Sequence, residues 1–188
     1  FYLRELHLRF RTHLANRGRA DTELKDRFCP APFQNFELHE TGRVYLCCDA
    51  WLPTAVGNLN EQDAESIWNS ERAQQIRRSI LDGSYKHCNK ELCGLIAENS
   101  LPTKARARRN PVYRDIIDNG SVVVDKPATF LSLMNDRSCN LSCPSCRVSR
   151  VNFTKGRGYD LRKRLQERLE RAFFSAPTDR EFTVKVTG

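Results

Sequence analysis

Apolar and polar positions change period several times along the 188 residues, and each change marks an element. Leu3, Leu6, Phe10 and Leu14 recur at helical spacing, with Gly18 placed to stop the helix. Residues 36–40 and 43–47 are short runs of strand character around Thr41-Gly42 and predict a hairpin. Residues 60–81 read as helix, broken near Ser70 and ended by Gly83. Pro102 punctuates a basic stretch over 101–109, and Asn110-Pro111 can cap a short helix that ends near Gly120. Residues 129–134 alternate as a strand, and a polar loop rich in cysteine follows. Leu161, Leu165 and Leu169 then recur every fourth residue, with Asp160 as the expected N-cap and Pro177 as the break. A second alternating strand covers 182–186.

The order strand, loop, helix, strand is one βαβ unit and predicts a parallel pair with a crossover, hence an α/β fold. A lone unit cannot cover both faces of a parallel sheet. The chain is therefore expected to be a fragment, with more βα units after Gly188.

Composition changes this picture little. Hydrophobic residues make up 39% and charged residues 29%, which fits a globular protein rather than a disordered one. No apolar run approaches a membrane span, and no signal peptide is visible, although the chain opens at Phe1. The net charge of +8, with basic runs at 104–109 and 162–164, is read as a solvated surface. Membrane and nucleic-acid partners are not expected.

The eight cysteines change it more. They cluster in sequence without a secretion signal, which points to metal or redox chemistry and a cytoplasmic protein. Cys139, Cys143 and Cys146 follow the first strand of the βαβ unit in a Cys-x3-Cys-x2-Cys pattern. Three thiolates around a four-iron cubane leave one iron without a protein ligand, and such an open position suits substrate chemistry. A zinc knuckle is the bland alternative for the Cys-x2-Cys half of the motif. Upstream, Cys29, Cys47, Cys88 and Cys93 are enough to close a second cubane completely. Strand alternation sets Cys48 apart from Cys47, with Val44 and Leu46, as a buried thiol rather than a ligand. His87, beside Cys88, is read as a surface or hydrogen-bonded histidine.

Residues 129–188 resemble the radical S-adenosylmethionine superfamily through these three cysteines. The resemblance implies the start of a partial (β/α) barrel. It also implies a 4Fe-4S cluster on Cys139, Cys143 and Cys146 that chelates S-adenosylmethionine and cleaves it to a 5′-deoxyadenosyl radical. Val186-Thr187-Gly188 looks like the opening of the segment that holds the cofactor's amino group, which makes Thr187 and Gly188 cofactor-binding candidates. The residue before the last cysteine is usually aromatic in that family. Here it is Ser145, whose backbone is expected to meet the adenine.

Residues 29–94 resemble SPASM or twitch auxiliary-cluster domains. The resemblance rests on Gly42-x4-Cys47, Gly57-Asn58-Leu59, Ile67-Trp68-Asn69-Ser70 and the Cys88-x4-Cys93 pair. It implies an auxiliary 4Fe-4S cluster on Cys29, Cys47, Cys88 and Cys93. The order is unusual, because such domains generally follow the barrel. The division expected is an N-terminal helix (1–28), a small α+β cluster domain (29–100), a connector (101–127) and the first, truncated βαβ unit of the barrel (128–188). The implied activity is radical modification or oxidation of a peptide or protein side chain, by likeness to SPASM maturases. A carbohydrate alcohol is the alternative, by likeness to twitch dehydrogenases. An external reductant such as flavodoxin or ferredoxin is implied. The reading from another class is a zinc-binding module that contacts nucleic acid.

Overall fold

A computed structural model of the chain describes residues 2–17, 24–134, 136, 138, 143, 154–175 and 181–186. In chain order the elements are α1 (Tyr2–Asn16), α2 (Ala31–Gln34), β1 (Asn35–His39), β2 (Arg43–Tyr45), β3 (Gly57–Asn58), α3 (Ala64–Trp68) and α4 (Glu71–Leu81). Then come α5 (Gly94–Ala97), α6 (Lys104–Ala107), α7 (Pro111–Asn119), β4 (Phe130–Met134), α8 (Arg157–Phe173) and β5 (Thr183–Val186). No helix among the described residues is long and apolar enough to cross a membrane.

The local signals act where they stand. The β1–β2 hairpin turns through Gly42, whose φ of +83° is left-handed. A Cβ there would lie 2.1 Å from Asn60 Nδ2, so both conformation and space require glycine. Ser70 separates α3 from α4 by capping the second: its hydroxyl accepts from the Ala73 N–H and donates to the Val56 carbonyl. Asn110 caps α7, Pro111 occupies its first turn, and Gly120 ends it at φ +63°.

One expectation is corrected. Asp160 does not cap α8. The helix starts a turn earlier at Arg157 with Gly156 as N-cap, which leaves Asp160 inside the first turn, where a carboxylate still suits the helix dipole. The apolar stripe of α1 does not face the core: Leu3 is 79% and Phe10 61% exposed, while Thr12 is buried. Polar contacts hold α1 instead, with Glu5 paired to Arg43 at 2.6 Å and Asn16 Nδ2 donating to the Cys88 carbonyl at 2.8 Å.

The strands form one mixed sheet in the order β3-β2-β1-β4-β5. The hairpin pairs are antiparallel, whereas β4 runs parallel to both β1 and β5. The cysteine-bearing hairpin and the βαβ unit thus share one sheet, and the intervening stretch packs against it. Trp68 Nε1 donates to the Lys126 carbonyl, and Asn69 Nδ2 to that of Val124.

Register sorts the two faces, because paired residues point the same way. Phe36, Leu38, Val44, Leu131 and Leu133 share one face, where Phe36 meets Phe173 of α8 edge-on at 5.2 Å. Leu165 and Leu169 of α8 and Ile67, Ile76 and Ile80 of α3 and α4 belong to the same core. Arg77 is fully buried there, stacked on Trp68 at 4.4 Å and donating to Pro32 O, Asn69 Oδ1 and Val122 O. Burial pulls its pKa down to about 10, so it stays charged at neutral pH and pins α4 to the segment after Cys29. The opposite face is polar: Tyr45, Glu37, Ser132 and Lys185 lie in register across four strands.

Candidate metal centre

Cys29 ends the approach to α2, with Pro30 after it and the Phe28 N–H bonded to the Pro102 carbonyl. Cys47 lies just past β2, which runs antiparallel to β1 and so heads toward the amino end of β1, the end at which Cys29 enters. A turn joins Cys88 to Tyr85, and Asn89 N–H donates to the Trp51 carbonyl, which anchors this loop on the hairpin side. Cys93 is the N-cap of α5.

These four thiols converge. Cys29 lies within electrostatic reach of Cys93, Cys47 of Cys29 and Cys93, and Cys88 of all three others. Burial pushes the Cys29 thiol up to about 11 and raises those of Cys47 and Cys88, and the neighbouring thiols add to the rise. All four are free cysteines.

Their spacing separates two kinds of metal site. A single zinc with Zn–S of ~2.3 Å draws tetrahedral sulfurs to about 3.8 Å of one another. Among the described residues only Glu37, His39 and Asp49 bring three ligand atoms within 4.8 Å of one another; no three of the cysteine sulfurs do so. A cubane bonds each thiolate to a different iron and spreads the sulfurs wider. The donor set, all thiol, with Cys88 and Cys93 buried and Cys29 and Cys47 partly buried, fits a four-iron cluster.

Cys48 is not in this group, and its surroundings differ from those expected. β2 ends at Tyr45, so alternation does not carry through to Cys48. The side chain is half-buried, and Glu37 and Asp49 lie beside it. His87 also stands apart: desolvation and the nearby cations Lys86 and Arg9 lower its pKa, and no cysteine acts on it.

The sequence reading missed a second group. His39 Nε2 and Glu37 Oε1 lie 2.9 Å apart, and His39 packs its ring on Tyr45 at 4.7 Å. Asp49 completes the trio. They belong to the polar sheet face, and His39, Asp49, Tyr45 and Met134 line a cavity of about 180 Å³ there. The only sequence signal was alternation, with Glu37 and His39 polar between apolar neighbours.

Of the other predicted ligands, Cys143 is exposed. Cys139, Cys146, Ser145, Thr187 and Gly188 lie outside the described residues. The three cysteines follow β4, which ends at Met134, in sequence.

Residues 29–94 match the sequence model of the SPASM family, an iron–sulfur cluster-binding domain. The match supports an auxiliary-cluster domain of the kind associated with radical S-adenosylmethionine enzymes. No curated protein and no solved structure matches the chain.

Proposed function

We propose that this chain belongs to a radical S-adenosylmethionine enzyme that carries its auxiliary cluster domain ahead of the barrel. The observation that carries the reading is the convergence of four thiols, two buried and two partly buried, within a stretch that matches an iron–sulfur cluster-binding family. In this reading Cys29, Cys47, Cys88 and Cys93 hold the auxiliary 4Fe-4S cluster. Cys139, Cys143 and Cys146 hold the cluster that chelates S-adenosylmethionine, and Ser145, Thr187 and Gly188 contact that cofactor. Bound there, the cofactor supplies a 5′-deoxyadenosyl radical that abstracts hydrogen from the substrate.

The chain's own residues supply the remainder. The parallel strands β4 and β5 open a barrel whose ligand end is the carboxyl end of the strands. The cavity at Met134 lies at that end and offers His39 as a proton acceptor, oriented by Glu37. A substrate radical that gives up an electron also sheds a proton. His39 takes the proton, and a cluster held by Cys29, Cys47, Cys88 and Cys93 would supply an acceptor for the electron. The substrate class we assign is a peptide or protein side chain.

Anaerobic reconstitution tests the reading. We expect about eight irons per chain, from four per cluster, and 5′-deoxyadenosine on addition of S-adenosylmethionine and dithionite. Colourless protein with stoichiometric zinc would replace the enzyme with a structural metal module.

A further inference from the structure

Tyr85 combines two features that packing alone does not explain. It sits in the left-handed region at φ +47°, an uncommon and costly conformation for a bulky residue. Its side chain is fully buried, yet its hydroxyl makes no hydrogen bond among the described residues. The Cys29 backbone N–H lies beside the phenol oxygen, but nothing accepts the phenol proton. A phenylalanine would fill the same ring volume without burying an unsatisfied donor.

The backbone shows what fixes the ring. Tyr85 N–H donates to Ser79 O at 2.9 Å, at the end of α4, and Tyr85 O accepts from Cys88 N–H at 2.9 Å. The residue is thus clamped to the loop that presents Cys88. Cys29, Cys88 and Cys93 surround it, and all three act on its hydroxyl electrostatically. The groups facing the orphaned donor are those that become sulfur anions when metal binds.

We propose that the Tyr85 hydroxyl donates a hydrogen bond to a sulfur of the auxiliary cluster and raises that cluster's reduction potential. Reduction adds negative charge to the cluster, so a fixed donor stabilises the reduced form more than the oxidised one. The left-handed backbone at residue 85 is then the cost of aiming the ring at the thiols. This inference rests on the auxiliary cluster proposed above.

The test uses the protein with Cys139→Ala, Cys143→Ala and Cys146→Ala, so that only the auxiliary group can hold iron. Redox titration followed by electron paramagnetic resonance reads the potential. Tyr85→Phe should retain four irons per chain, from one cubane. Its midpoint should lie about 59 mV lower, a tenfold fall in the ratio of reduced to oxidised cluster at fixed potential. Tyr85→3-fluorotyrosine keeps the ring and strengthens the donor, so it should move the midpoint upward. An unchanged midpoint in either iron-loaded variant overturns the role of the hydroxyl. If Tyr85→Phe fails to fold, the fluorotyrosine variant decides alone. A parent protein that binds no iron overturns the cluster reading itself, and this inference with it.

Discussion

A buried thiol with no metal is a neutral group, and that sets how the iron-free protein answers to pH. Burial holds the Cys29 thiol near 11, against an ordinary value of 9.0, and shifts Cys47 and Cys88 in the same direction. Between the two values the folded chain keeps protons that the unfolded chain releases. Stability therefore falls as pH rises: the contribution is complete below the ordinary thiol value and lost as pH passes the folded value. Urea midpoints of reduced, iron-free protein should drop between pH 8 and pH 10.5. In iron-loaded protein the thiols are already deprotonated, and the drop should be much smaller. Equal drops in the two forms would remove these thiols from the account. Cys47 and Cys48 show how far single residues could be read from sequence. Alternation along an expected strand was the ground for setting them apart. It could not show that the strand stops at Tyr45, nor that Glu37 and Asp49 flank Cys48.

Elements were legible where their ends are written in local chemistry. Ser70, Asn110 and Gly120 act within a few residues of themselves, and each stands where a break or cap was expected. Ser70 does two things: it caps α4 and ties that helix to Val56 next to β3. Ser70→Ala should cost about 1–2 kcal/mol for the cap, with the Val56 carbonyl losing its partner as well. A shift in the denaturation midpoint measures it. Ser70→Asp, which can still cap, should recover part of the loss. Partnership between distant elements was not legible. The sequence pattern predicts that residues 36–40 and 129–134 are strands, but nothing in either says that they pair with each other in parallel. The lie of α1 was not legible for a related reason. Helical spacing of Leu3, Leu6, Phe10 and Leu14 predicts an apolar face, while the Glu5–Arg43 pair and the Asn16 contacts decide which way the helix lies.

At the scale of the whole molecule, one sheet joins the cysteine-bearing hairpin to the strand that precedes the second cysteine group in sequence. Cys29 enters at the amino end of β1, and Cys47 is carried toward it by β2. Cys139, Cys143 and Cys146 follow β4 in sequence, and the carboxyl end of β4, at Met134, pairs with His39 of β1. Four strand steps of about 3.3 Å put roughly 13 Å of sheet between those ends. In the proposed reading the two groups hold separate clusters, and they should fail separately when mutated. Cys143→Ala removes one of three thiolates from the proposed open cluster, so formation of 5′-deoxyadenosine should fall to background. Cys93→Ala opens the proposed closed cluster and leaves the proposed S-adenosylmethionine ligands intact. With dithionite as reductant it should still yield 5′-deoxyadenosine, while substrate oxidation fails because the electron has no acceptor. Cys93 is buried in the main core, so its loss can also loosen the domain. Circular dichroism must match the parent before the assay is read. A folded Cys93→Ala protein that turned over substrate at the parent rate would leave the auxiliary cluster a purely structural staple. Cleavage of S-adenosylmethionine by Cys143→Ala at the parent rate would end the radical-enzyme reading.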